Sequence, residues 1–281
     1  MNNEPRPTVP KAPPAPAQFT HRRFTREGAL PWITTPILLV LLLLIWEFYV
    51  RAAGVSPMIL PRPGAVAKAW LGLLQDPRAW HHTWMTVYAT LTGFAYATVI
   101  GVGLGVLIAR VRWLELTLNP FIVATQVIPK VALVPLFVLW FCFGITSKVI
   151  VACVLAFFPI LTNTAMGVKS IDEGHRDVMV SLNATRWQVF RRLELPSALP
   201  YMLTGLEIGI VLAIIGAIVG EYLGGNAGLG HLLIARLNAF ETDQMFAVLI
   251  HMSMLGFLFY FAIGALRKLL VPWHASARLQ V

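Results

Sequence analysis

The sequence predicts an all-α integral membrane protein with six transmembrane helices, and three observations predict it. The 281 residues are 57% hydrophobic and 12% charged, with a mean hydropathy of +0.71, whereas a water-exposed domain carries about 25% charged residues. Apolar runs close to the ~20 residues that cross a bilayer core recur along the chain. Lys and Arg are divided unevenly between the segments that join those runs. The net charge of +9 does not indicate nucleic acid, because the basic residues are scattered between apolar runs and form no compact domain. The 2 cysteines exclude a disulfide framework. Cys142 and Cys153 both lie in apolar runs and read as free thiols buried in lipid or protein.

Residues 1–30 are read as a disordered cytoplasmic tail. Pro5, Pro7, Pro10, Pro13, Pro14 and Pro16 prevent a packed helix, and "HRRFTREG" makes its end basic. The tail is not a cleavable signal peptide, since the apolar run that follows is too long and no small-residue cleavage site succeeds it. The membrane domain, 31–281, then has expected spans at Trp32–Val50, Thr83–Ala109, Leu118–Phe143, Val149–Val168, Tyr201–Leu223 and Met245–Leu266. Between the first two, "ILPRPGAVAKAW" reads as a turn and a surface helix. Between the last two, "GGNAGLG" reads as a flexible turn and "HLLIARL" as a short amphipathic piece.

Orientation follows from the basic residues. With both termini in the cytoplasm, 15 Lys and Arg fall inside and 6 outside, and Lys130 alone falls within a span. The largest inner segment, 169–200, holds Lys169, Arg176, Arg186, Arg191 and Arg192. Its core, "DVMVSLNATRWQVFRRLELP", is free of Gly and Pro on both sides of Asn183 until Pro196. Two short helices are therefore expected, joined at Asn183, which tolerates the left-handed conformation. Pro196 is expected to stop the second, because its predecessor is disfavoured in the α region. Val189, Phe190 and Leu193 share one side of that helix and the arginines project elsewhere. Such a hairpin suits either a protein partner or the lipid headgroup layer.

This stretch resembles the cytoplasmic EAA loop of ABC-importer membrane subunits, whose pattern is E-A-A, three residues, G, nine residues, I-x-L-P. Asp177, Val178 and Met179 fall at the E-A-A positions, Asn183 at the Gly, Leu193 at the Ile, and Leu195 with Pro196 at the L-P. The spacing fits throughout, while Asp, Val, Met and Asn replace the family's own residues. The blocks "IPKVALVPLFVLWF", "FFPILTNTAMG", "LPSALPYMLTGLEIG" and "IGAIVGEYLGGNAGLGHLL" are similar to importers for nitrate, sulfonates, taurine and pyrimidine thiamine precursors. The resemblance implies a MetI-like permease fold in the bacterial inner membrane. It also implies a cytoplasmic ABC ATPase dimer docked on the loop, a periplasmic substrate-binding protein, and a second copy of the chain completing the path for a small solute. The chain has no G-x-x-x-x-G-K-[ST] phosphate loop, so ATP and Mg would be held by the partner and no cofactor by this chain. The expected solute is a sulfonate-, taurine- or nitrate-like anion, with a pyrimidine thiamine precursor as the alternative.

Further residues are singled out by the membrane setting. Gly205, Gly209, Gly216 and Gly220 fall at 0°, about 40°, about 20° and about 60° around a helix. That single small-residue face suits either a second copy of the chain or another helix of the same chain. Gly101 and Gly105 read as internal packing. Ionisable groups inside a membrane are functional candidates: Lys130 beside Pro129, and Glu207 on the side of its helix away from the glycines, as its possible partner. Gln126, Thr125 and Asn163 suit either the path or helix-helix hydrogen bonds. Glu47 and Glu221 are expected at outer span ends reached by water. An intramembrane enzyme is disfavoured, since no G-x-S-x-G elbow or H-E-x-x-H is present, and adjacent His81 and His82 make a poor metal pair. A secondary transporter, the reading outside the ABC class, would show internal repeats, which are not evident.

Overall fold

The computed structural model of the chain describes residues 30–272, with side chains from Thr34 onward. The Pro-rich tail and Arg278 therefore lie outside the described residues. All regular structure among the described residues is helical: α1 (Leu30–Ala52), α2 (Pro63–Gln75), α3 (Pro77–Arg110), α4 (Arg112–Val127), α5 (Val134–Phe141), α6 (Ile145–Lys169), α7 (Glu173–Ser181), α8 (Arg186–Val189), α9 (Leu195–Gly224), α10 (Leu229–Asn238) and α11 (Thr242–Leu270). A 3-10 turn, Lys130–Leu133, precedes α5, and a π turn, Phe190–Glu194, joins α8 to α9. Among the described residues, those through Leu44 belong to one unit and those from Ile45 to another. In the first unit, the apolar side chains Ile37–Leu44 are all exposed.

Local chemistry sets several boundaries. Pro63 and Pro77 open α2 and α3 at positions where no backbone donor is needed, and Asp76 caps α3 by accepting from the Arg78 N–H at 2.8 Å. The expected third span is not one helix. The Ile128–Pro129 junction separates α4 from the 3-10 turn and α5, and the two halves meet at 86°. Pro129 supplies no N–H and drives Ile128 into an extended conformation at φ −67°, ψ 127°.

Ion pairs mark which helix ends lie together. Glu115 at the start of α4 meets Lys169 at the end of α6 at 2.5 Å, and Glu194 binds Arg110 and Arg176. On the orientation that the basic residues predict, these groups mark the inner end. Lys148, at the start of α6, lies instead beside Ala227, beyond the far end of α9. The chain between Arg112 and Ile145 therefore crosses from inner to outer end as a broken span. With the five helices long and apolar enough to cross alone, this gives six crossings among the described residues.

The centre of the second unit is α6 held between α3 and α9. Ala89, Ala97, Ala152, Ala156, Ala213 and Ala217 are buried there around Ile160. Small side chains allow close backbone approach where no hydrophobic force drives helix association. The glycine face of α9 takes part: a Cβ at Gly205 would lie 2.8 Å from the Asn163 Cβ, one at Gly209 2.8 Å from Ile160, one at Gly216 2.9 Å from the Ala152 Cα, and one at Gly220 3.3 Å from the Lys148 Cα. The face is thus filled by α6 of the same chain and is not free to meet a second copy. Gly101 and Gly105 of α3 lie against Ile160 and Thr164 in the same way.

Cys153 is half-buried on α6, and Cys142 is exposed at the end of α5 with φ 62°. One further expectation is corrected. Pro196 does not stop a helix, because α8, the π turn and α9 run on as one helical rod, Arg186–Gly224. In the π turn the ladder widens, so that the Leu195 N–H reaches the Phe190 carbonyl. Pro196 then falls in the first turn of α9, where its missing donor and fixed φ are tolerated.

Candidate functional site

The inner hairpin is built by caps at each turn. Asp172 opens α7 by accepting the Gly174 N–H at 2.7 Å. At its end Asn183 adopts φ 52°, the Ala184 N–H reaches the Met179 carbonyl at 3.0 Å, and the Asn183 N–H reaches Val180 at 2.9 Å. This is a Schellman closure with Asn in the place usually taken by Gly. Thr185 and Gln188 then form a reciprocal capping box that starts α8. Arg110 lies over the Phe190 ring at 5.3 Å, and Glu194 ties Arg110 and Arg176 together, anchoring the hairpin to α3.

What the hairpin presents is apolar. Val178, Val180, Leu182 and Trp187 are 58%, 68%, 71% and 64% exposed. Asp177 is exposed; Met179, Leu193 and Pro196 are half-buried; and Leu195 is partly exposed where the rod enters α9. Arg186, Arg191 and Arg192 are exposed around these groups. Water-facing apolar side chains grouped on one capped hairpin mark an interaction surface.

The membrane-embedded polar candidates are not brought together. Glu207, buried in α9, binds Arg267 of α11 at 2.8 Å rather than Lys130. The ~200° that separates Glu207 from the glycines around the helix turns it toward α11 while they face α6. Asn163 donates to the Pro159 carbonyl of its own helix at 2.9 Å, and Thr125 likewise to Ile122. Gln126 is exposed in the last turn of α4. Lys130 opens the 3-10 turn, with its Nζ 4.6 Å from the centroid of the Phe158 ring.

The outer end holds a site that the sequence reading missed. Glu221 is 1% exposed, so water does not reach it as expected. Thr86 of α3 donates to its carboxylate at 2.9 Å, and the Gly230 N–H donates at 2.9 Å. The Thr86 hydroxyl in turn accepts the Leu229 N–H at 2.8 Å. His82 accepts the Gly228 N–H at 3.0 Å and stacks on His231, while the ammonium of Lys148, 2% exposed, donates to the Ala227 carbonyl at 2.6 Å. Gly228 sits at φ 112°, where a Cβ would strike the Glu221 carboxyl carbon. The available signal was the adjacency of Glu221 to a glycine-rich turn whose N–H groups need an acceptor.

Residues 101–274 match the family described as binding-protein-dependent transport system inner membrane component. The chain belongs to that family. It is accordingly a membrane-spanning permease of an ABC importer and not itself a catalyst. This permease is 38% identical over 246 residues to the riboflavin transport system permease protein RibX of Chloroflexus aurantiacus, covering 88% of this chain and 92% of that protein. It is 38% identical over 235 residues to the formylaminopyrimidine transport permease protein ThiX of Halalkalibacterium halodurans, covering 84% and 93%. Its fold is shared with the inward-facing MetNI methionine ABC transporter, with a TM-score of 0.58 and 20% identity over 69% of this chain and 98% of that one.

Proposed function

We propose that this permease imports a small flat heterocycle of the pyrimidine or flavin class across a bacterial inner membrane. Two copies form the path, a periplasmic binding protein delivers the solute, and a separate cytoplasmic ATPase dimer, which holds ATP and Mg, drives the cycle. The α7–α8 hairpin carries this reading. It is firmly capped and exposes Val178, Val180, Leu182 and Trp187, the surface expected of an element that waits for a protein partner. An exposed arginine rim speeds and orients docking on an acidic or mixed surface. Asp177, Val178, Met179, Asn183, Leu193, Leu195 and Pro196 form the coupling element. The solute class rests on the two relatives at 38% identity, named for riboflavin and formylaminopyrimidine transport. A small anion of the sulfonate, taurine or nitrate type is the second reading, favoured by the cationic Lys130 at membrane depth.

The test is co-purification of the tagged permease with its ATPase, followed by uptake of labelled riboflavin, formylaminopyrimidine and taurine in vesicles with and without ATP. Uptake that continues unchanged after ATP depletion would sink the ABC reading. Uptake of taurine alone would replace the heterocycle by the anion.

A further inference from the structure

Among the described residues, the α4–α5 break is the one interruption within a candidate membrane span. The last-turn carbonyls of α4 lose their intrahelical donors there. Val127 is 81% exposed, and Ile128 and Pro129 are exposed as well. Irregular backbone at this depth is tolerated where protein covers it or where it lines a water-filled cavity, and not against lipid. In secondary transporters, solute sites are built at such interruptions, and the same backbone logic applies to any polar path through a membrane.

Lys130 is the first residue after the break. Among the described residues no carboxylate lies within ion-pair distance of it; its neighbour is the face of Phe158, 4.6 Å away. The embedded Arg267 behaves differently, since it is held by Glu207 at 2.8 Å. An aromatic face is a weaker partner than a carboxylate, and it engages one side of an ammonium that has three donors. The charge is therefore held in place and still open to an acceptor.

We infer that Lys130 and Phe158 form a solute subsite on the translocation path, taking a flat heterocycle whose ring carbonyl or nitrogen accepts from the Lys130 ammonium beside the Phe158 ring. The heterocycle rests on the reading given above; the exposure of Lys130 to the path does not. Phe158 keeps the ammonium occupied between transport events, and a solute held by this one cation can also leave, as passage requires.

The experiment uses the full chain assembled with its ATPase and binding protein in proteoliposomes, with riboflavin and formylaminopyrimidine as probes. Lys130→Met is expected to lower uptake about ten-fold, the loss expected for one charged hydrogen bond, and Lys130→Arg to retain most of it. Phe158→Leu should lower uptake less, and Phe158→Tyr should restore it. In parallel, Lys130→Cys, made with Cys142→Ser and Cys153→Ser, is expected to react with a membrane-impermeant thiol reagent and to be protected during uptake. Wild-type uptake by Lys130→Met, or an inert Lys130→Cys, overturns the subsite. If wild type imports neither probe, the heterocycle falls with the reading above, and the labelling alone then decides whether Lys130 faces the path.

Discussion

The two ends of the rod that runs from Arg186 to Gly224 solve opposite problems. At the outer end, the turn between α9 and α10 has its donors received by Glu221, Thr86 and His82, and the Ala227 carbonyl is taken by Lys148. Glu221 and Lys148 are almost wholly buried. At the inner end, the α7–α8 hairpin satisfies its backbone with caps but leaves its apolar side chains in water. The outer end is complete within one chain, whereas the inner end is rigid but unfinished. Mutations at the first should therefore cost stability of the isolated permease, and mutations at the second should cost coupling to its partner.

The largest stability loss is expected from Glu221→Ala. It strips Thr86 and the Gly230 N–H of their acceptor and leaves the buried Lys148 charge without a nearby anion. Breaking such a network costs about 3–5 kcal/mol, read as a lowered melting temperature of the purified protein. Glu221→Gln should lose less, since its amide oxygen can still accept. Next comes Gly216→Leu, whose Cβ would lie 2.9 Å from the Ala152 Cα. Overpacking there is expected to destabilise by about 1–3 kcal/mol, and a melting temperature equal to wild type would contradict the α6–α9 packing. Asn183→Gly should be close to neutral in both stability and transport, because Gly takes the left-handed conformation without strain. The smallest effect belongs to Arg51→Ala, which removes a pair with Glu47 whose arginine is 65% exposed, worth about 0–1 kcal/mol.

Much of this was legible in the sequence. The positions of the apolar runs marked all six crossings, the broken third among them, and the excess of Lys and Arg predicts their direction. Asn183 marked the hairpin turn because few residues accept its conformation. Pro129 was visible as a helix breaker, but an 86° bend depends on what the two halves pack against, which hydropathy does not carry. The glycine face of α9 was legible as a face and not as to its occupant, since α6 and a second copy make the same demand for small residues. Pro196 misled because a π turn can absorb a missing donor, and nothing in the sequence announces one. Glu207 and Glu221 each needed a partner, but Arg267 and Thr86 lie 60 and 135 residues away, beyond the reach of any local pattern.

The central claim is that the hairpin around Asn183 transmits the work of a separate ATPase to the spans. It is tested most directly by the number of solute molecules imported per ATP hydrolysed in proteoliposomes carrying Asn183→Pro. Proline cannot adopt φ 52° and has no N–H for the Val180 carbonyl. The variant is expected to insert in the membrane and to keep the melting temperature of the outer-end network, while ATP hydrolysis continues and import collapses. Import at the wild-type ratio to ATP would contradict the account.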